Sequence, residues 1–294
     1  QNFTWKKGTS LTDAVGVYGT QGVAAAGNRP GARDHAATWT DGAGNFWLFG
    51  GNGYNDIGNY GYLNDLWKYS PATNMWTWIS GGTSVNQVGI YGSFGVFSTG
   101  NIPGTRFGSA SFIDANDNLY LFGGYGYDIA GSFAELNDMW VYSIALNQWK
   151  WVKGATTAFQ TGTYGTQGVS NISNVPGARY NAKGWKDNSG NFWIHGGLGY
   201  NASSNSYLGD LWKYNPANNE WVWMKGSASL NQTGIYGTQG TAAPGNAPGA
   251  RCASAGWTDA SGNLWLIAGY GFASTGFADL LNDMWKYNIT TNEW

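Results

Sequence analysis

Cysteine is nearly absent. Cys252 stands alone in 294 residues, which excludes an intramolecular disulfide framework and a Cys-rich zinc site. Charge is almost as scarce. Asp, Glu, Lys and Arg make up 11% of the chain, and 15 basic against 17 acidic residues leave a formal charge of −2. That composition argues against charge-driven disorder and against a nucleic-acid surface, which needs a basic excess. The two histidines, His35 and His195, sit at non-equivalent positions, a poor basis for a metal site or a catalytic triad. With three glutamates, Glu135, Glu220 and Glu293, a glycosidase acid/base pair would have to come mainly from Asp. No apolar run approaches the roughly 18 residues of a membrane-spanning helix. What is abundant is glycine, 47 residues, and aromatics, 17% of the chain with 18 Trp. Glycine for turns and aromatics for strands point to an all-β protein.

The chain repeats. Pro-Gly-x-Arg recurs with its arginine at Arg33, Arg106, Arg179 and Arg251, in steps of 73, 73 and 72 residues. Tyr-Gly at Tyr18, Tyr91, Tyr164 and Tyr236 keeps the same steps, as does an aromatic-x-Trp pair at Phe3/Trp5, Trp76/Trp78, Trp149/Trp151 and Trp221/Trp223. The repeats run 3–75, 76–148, 149–220 and 221–294 and read as one domain. The shorter step falls between Gly197 and Leu208, after a Gly-Gly pair, where a surface loop absorbs a deletion cheaply. Each repeat reads as four short strands, in repeat one Ala36–Thr40, Phe46–Phe49, Asp65–Tyr69 and Trp76–Ile79. They are joined by turns such as Asp41-Gly42-Ala43-Gly44-Asn45 and, after Gly50-Gly51, by an 11–12-residue loop. A 22-residue segment then follows in every repeat: Thr9–Pro30, Gly82–Pro103, Ala155–Pro176 and Ser227–Pro248. Equal lengths and the recurring Tyr-Gly-Thr-Gln-Gly favour an ordered loop over a linker.

Setting that segment aside leaves 51 residues per repeat, close to the Kelch period of about 50. The signature positions are Arg33, Phe49-Gly50-Gly51, Asn64-Asp65-Leu66-Trp67-Lys68-Tyr69 and Trp76, repeated down the chain. In these the sequence resembles the Kelch family over its whole length. It departs at Ala268, in place of the first Gly, and at Gly209, in place of the Asn. The resemblance implies a β-propeller of four four-stranded blades. The chain starts in a fourth strand, Phe3-Thr4-Trp5, and stops at Trp294 just before the next, so the first strand is expected to complete the last blade and remove both sheet edges. Kelch rings usually hold five to seven blades, which leaves a longer or multi-chain array as the other arrangement. Some relatives in the wider superfamily are copper oxidases, but Cys252 directly follows Arg251 here and no matching His pair exists. No cofactor is expected.

Four of the five arginines are the Pro-Gly-x-Arg residue. A guanidinium fork used so regularly implies a fixed carboxylate, so we expect structural pairs Arg33–Asp65, Arg106–Asp138, Arg179–Asp210 and Arg251–Asp283. The Trp-x-Trp pairs read as packing residues, and Asp41, Asp114, Asp187 and Asp259, which resemble the Asp-box hairpins of other propellers, as turn caps. The 22-residue loops gather the candidate ligand-binding residues Tyr18, Gln21, Tyr91, Tyr164, Gln167, Tyr236 and Gln239. Flat aromatics beside amides suit neutral sugars or a protein partner, although the same loops would also serve to cover sheet edges.

A start at Gln1 without an apolar leader, low charge and few Lys fit a secreted or cell-surface setting. Similar Trp- and Gly-rich Kelch arrays occur in such bacterial proteins. The expected function is non-catalytic: a binding or scaffolding module for a protein or glycan in adhesion or extracellular assembly, with self-association or further repeats as possible partners. The alternatives are a lectin-like propeller using the Tyr/Gln loops and a substrate-positioning propeller of a carbohydrate-active enzyme.

Overall fold

The computed structural model describes residues 3–294, and all of its regular structure is β. Unit one contains β1 (Arg33–Asp34), β2 (Ala37–Thr40), β3 (Phe46–Tyr54), β4 (Tyr60–Ser70) and β5 (Met75–Ser80). Unit two repeats them as β6 (Arg106–Phe107), β7 (Ala110–Ile113), β8 (Asn118–Tyr127), β9 (Phe133–Ser143) and β10 (Gln148–Lys153). Unit three holds β11 (Arg179–Tyr180), β12 (Lys183–Lys186), β13 (Phe192–His195), β14 (Leu198–Tyr200), β15 (Asn205–Tyr207), β16 (Leu211–Asn215) and β17 (Glu220–Lys225). Unit four holds β18 (Arg251–Cys252), β19 (Ala255–Thr258), β20 (Leu264–Ile267), β21 (Tyr270–Phe272), β22 (Ala278–Leu280) and β23 (Met284–Tyr287).

Every unit is an antiparallel meander, such as β2-β3-β4-β5 in unit one and β12-β13-β16-β17 in unit three. The alternation that predicts β2 also orients it: Ala37 and Trp39 are buried, Thr38 and Thr40 exposed. The sequence reading ends the strand before Gly-Gly at that pair, and in units three and four it does end there, at His195 and Ile267, but in units one and two it continues. Gly50 and Gly51 take φ of +64° and +97°, the ladder slips register between Phe49 and Gly51, and β3 continues to Tyr54. A bulge of this kind bends a strand rather than stopping it. The expected loop is therefore a second, upper hairpin, and β1 pairs along its edge. In unit three, the one with the deletion, the same hairpin is β14 and β15, paired over only three residues. Ala268 holds the first glycine's conformation at φ +60°, so this departure keeps the backbone at a cost of about 1 kcal/mol.

The hydrophobic core lies between units. One cluster joins Trp39 and Phe49 of unit one to Leu121 and Trp149 of unit two. A second joins Phe112 and Phe122 to Phe192 and Trp221, and a third joins Trp185 and Leu211 to Leu266 and Trp294. Backbone bonds also cross each junction at one repeated position: Gly108 N–H donates to His35 O, Asn181 N–H to Gly108 O, and Ala253 N–H to Asn181 O, at 3.0, 2.8 and 2.9 Å. Among the described residues each unit thus leans on its sequence neighbours, the pattern of a quasi-one-dimensional repeat protein.

The expected closure by the first strand does not form. Residues 3–6 make no strand, Phe3 is fully exposed, and unit four's sheet has three strands, β19-β20-β23. Repeat spacing explains why: Trp294 occupies the place in unit four that Trp221 holds in unit three, 5.1 Å from Tyr287 as Trp221 is 5.0 Å from Tyr214. Phe3 belongs to that same repeat position, so the two rings would compete for one seat. Among the described residues, no hydrogen bond or aromatic pair links unit one to unit four.

Candidate functional site

The arginines anchor the interior of each unit. Arg106 Nη1 and Nη2 donate to Asp138 Oδ1 and Oδ2 at 2.6 and 2.8 Å, with both side chains fully buried. Its Nε donates to Gly104 O and Nη1 also to Gly123 O, which ties the short first strand to the bulge. Arg33–Asp65, Arg179–Asp210 and Arg251–Asp283 repeat the arrangement with shortest distances of 2.5, 2.6 and 2.5 Å. Each carboxylate takes two further donors. Tyr18, Tyr91, Tyr164 and Tyr236 donate their hydroxyls to Oδ2 of Asp65, Asp138, Asp210 and Asp283 at 2.6–2.7 Å. The indole N–H groups of Trp67, Trp140, Trp212 and Trp285 donate to the same oxygens at 2.7 Å. Burial alone would raise the Asp65, Asp210 and Asp283 carboxyls. For Asp283, Arg251 and the Trp285 and Tyr236 donors hold it down to about 2, while Arg33, Tyr18 and Trp67 lower Asp65 and Arg179, Tyr164 and Trp212 lower Asp210. Burial and the adjoining carboxylates push the tyrosines up, Tyr236 to about 12.

The loop tyrosines are therefore not laid out as ligand platforms. Tyr18, Tyr91 and Tyr164 are buried, and only Tyr236 is open to solvent. The glutamines face outward but fasten the loops down: Gln21 Nε2 donates to Ile79 O at 3.1 Å and Gln167 Nε2 to Gly226 O at 3.3 Å. The loop backbone follows the outer edge of the unit's last strand, with Gly22 N–H to Trp78 O, Gly95 N–H to Trp151 O and Gly168 N–H to Trp223 O, all at 2.8 Å. Gln239, in the fourth loop, lines a cavity beside unit four's free edge. Sequence reasoning missed the buried asparagine that sets the loop: Asn101 Nδ2 donates to Val96 O and Trp149 O, and Asn28, Asn174 and Asn246 do the same in their units. The recurring Asn-x-Pro-Gly-x-Arg was the available signal.

The Asp-box carboxylates are consumed by their own turns. Asp41 accepts from the backbone N–H of Ala43 and Asn45, from the Asn45 side chain and from Trp47 Nε1 at 2.8 Å. Asp187 and Asp259 repeat this with Trp193 and Trp265, and Asp114 has Tyr120 in the Trp's place. Among the described residues, no group of three or more His, Cys, Asp or Glu could hold a metal ion. Cys252 is buried behind Arg251, and burial pushes its thiol up.

The surface least explained by stability is built by the upper hairpins and was not foreseen. Tyr62 lies 4.3 Å from Phe133 and 5.5 Å from Phe107. Phe107 is 5.7 Å from both Tyr125 and Tyr180, and Tyr125 is 5.2 Å from Tyr180. These rings are half-buried and span units one to three, and Tyr207 with Tyr270 extends the surface into unit four. Beside them, Glu135 stands where the other units have Tyr62, Tyr207 and Leu280, and accepts from Asn205 Nδ2 at 2.6 Å. Burial raises Tyr62, Tyr125, Tyr180 and Tyr207, helped by Tyr127 and Tyr60 at Tyr62, by Glu135 at Tyr125 and by Cys252 at Tyr180 and Tyr207, so their hydroxyls stay protonated as hydrogen-bond donors. The strand rule behind the surface is the Tyr125-Gly126-Tyr127 alternation, which puts two rings on one side. Glycine stands between them because a Cβ there would meet Thr105 O at 2.2 Å.

The chain matches no protein-family model and no curated protein.

Proposed function

We propose that the four units are blades of a Kelch-type β-propeller array, and that the chain is a non-catalytic binding or scaffolding module of a secreted or cell-surface protein. The half-open aromatic surface of the upper hairpins carries this reading. Five rings in contact across three units, tipped with phenol donors and bordered by Glu135, offer a broad amphipathic platform, and aromatic residues of that kind are enriched in recognition surfaces. The buried Arg–Asp–Tyr–Trp groups serve as its rigid support. A partner protein is the occupant that such breadth suits best. A neutral glycan is the second reading, favoured by flat rings beside the Glu135 and Asn205 side chains.

The test compares the wild-type chain with Tyr180→Ala and Tyr62→Ala on a glycan array and on a display of extracellular proteins. Tyr164→Ala serves as the loop control. Ligands retained by wild type and lost by both surface variants support the reading, and the array on which they appear separates glycan from protein. Retention by both surface variants would place recognition elsewhere.

A further inference from the structure

Glu135 breaks the repeat. Tyr62, Tyr207 and Leu280 hold its place in the upper hairpins of the other units, and none of them is charged. It is 7% exposed, a depth at which glutamate is seldom found without a partner. The other buried carboxylates are all provided for. Asp65, Asp138 and Asp210 each hold an arginine, and Asp41 and Asp187 are filled by their own turns. Asp128 accepts the backbone N–H groups of Ala130, Ser132 and Ala158.

Glu135 has far less. Among the described residues no Lys, Arg or His forms an ion pair with it. Its carboxylate takes one hydrogen bond, from Asn205 Nδ2 to Oε1 at 2.6 Å, although a carboxylate can accept about four. Oε2 has no donor, and it is not one of the sealed, unpartnered atoms of the interior, so it can be reached from outside.

The surroundings of that oxygen are aromatic. Tyr125 stands directly opposite Glu135 in the β8–β9 ladder, and Phe133 lies two residues before it on the same face. Tyr125 is 4.7 Å from Phe133, 5.7 Å from Phe107 and 5.2 Å from Tyr180. Burial raises the Tyr125 and Tyr180 hydroxyls, and the Glu135 charge adds to this at both, after Cys252 at Tyr180, so the carboxylate is near both rings. Units two and three supply all of these residues, away from both ends of the chain.

We infer that Glu135 and these rings receive an arginine side chain of the partner protein. This rests on the reading of the upper hairpins as a recognition surface and names what the partner brings to it. A cation is what the site lacks. It neutralises a carboxylate that has no counter-charge, and the ring faces attract it as well. Guanidinium suits the site better than ammonium because it is flat and more weakly hydrated. It loses less water on entering a half-buried site, and it stacks on a ring while donating from its edge. Its N–H groups donate to Oε2, its plane lies against the Tyr125–Tyr180 pair, and Asn205 keeps Oε1.

The probe is a capped peptide with one arginine and no other charge, titrated into the full chain and followed by its own proton resonances. Ring currents should move the arginine side-chain protons upfield, and the same peptide with lysine should bind more weakly. Glu135→Gln keeps the shape of the side chain and its acceptor for Asn205. It should weaken the arginine peptide by about tenfold or more, as should Tyr180→Ala. Glu220→Gln on β17 should leave binding unchanged. Glu135→Gln should also unfold at the same urea concentration as wild type or a higher one, because no cation of the chain depends on Glu135. A less stable Glu135→Gln would show that the carboxylate serves the fold and would overturn the inference. So would a wild type that does not bind the arginine peptide, equal binding by Glu135→Gln, or equal binding of the lysine peptide. Protein ligands lost by Tyr62→Ala and Tyr180→Ala but kept by Glu135→Gln would leave the aromatic surface standing and remove the arginine from it.

Discussion

His195→Phe is the sharpest test of how the units are joined. His195 takes the position held by Phe49 and Phe122 in units one and two, and meets Trp294 edge-on at 5.6 Å where those phenylalanines meet Trp149 and Trp221 at 5.3 and 5.1 Å. It is 2% exposed, and neither ring nitrogen has a hydrogen-bond partner. Burial, then the nearby Arg251 cation, hold it down to about 3 from its ordinary 6.5; Arg179 adds to this, while Asp210 and Asp283 oppose it. Between those two values the unfolded chain binds a proton that the folded chain refuses. Stability from this group is therefore fully present above pH 6.5 and is lost as pH falls toward 3. Each pH unit in that window costs about 1.4 kcal/mol, so lowering pH from 7 to 5 should remove about 2 kcal/mol from the unit three–four junction. Phenylalanine fits a site already shaped for it twice. It also removes two unsatisfied nitrogens, a gain of about 1–3 kcal/mol at neutral pH. Urea unfolding followed by tryptophan fluorescence at pH 7 and pH 5 reads both effects. His195→Phe should be the more stable chain at pH 7, and its advantage should grow by about 2 kcal/mol at pH 5. An advantage that stays the same at the two pH values would show that His195 accepts its proton without cost in the folded chain, and the junction would not be as dry as described.

Two further substitutions test the interior. Asp138→Asn leaves Arg106 buried without its counter-charge and should cost about 3–5 kcal/mol in chemical denaturation, more than Asp283→Asn, whose carboxylate is partly open to water. Gly126→Ala should destabilise unit two by more than 1 kcal/mol in the same assay, because the new methyl would lie 2.2 Å from Thr105 O; a neutral result would mean that β6 can shift away.

Periodicity made most of the framework legible. A 73-residue step repeated with so little drift places the arginine and its aspartate 32 residues apart three times and 31 once, and a scarce charge that recurs with an opposite one is easily matched. The tyrosines were harder. Tyr18 in a Gly- and Gln-rich loop carries the same local signature whether its ring points to solvent or to Asp65. A count of donors would have helped: a buried carboxylate accepts about four hydrogen bonds, Arg33 supplies two, and two remain to be filled, as they are by Tyr18 and Trp67. The upper hairpins were hidden because Gly50-Gly51 reads as a stop, while a bulge uses the same residues to bend a continuing strand. The aromatic surface was invisible for a related reason. Tyr62, Phe107 and Tyr180 come from three different units and meet only once those strands are bent.

The long loops have a consequence for how the protein avoids misassembly. A four-stranded meander of about 50 residues would present its last strand as a bare template, open to pairing with any extended chain and so to amyloid-like growth. Here Gly22, Gly95 and Gly168 donate to the carbonyls of that strand and Asn28, Asn101 and Asn174 cover the next one along, so the template is occupied before another molecule can reach it. Excising the 22 residues would therefore yield a shorter repeat that is soluble only while its edges stay out of reach of one another. Nearly a third of each repeat is a guard against the wrong kind of order.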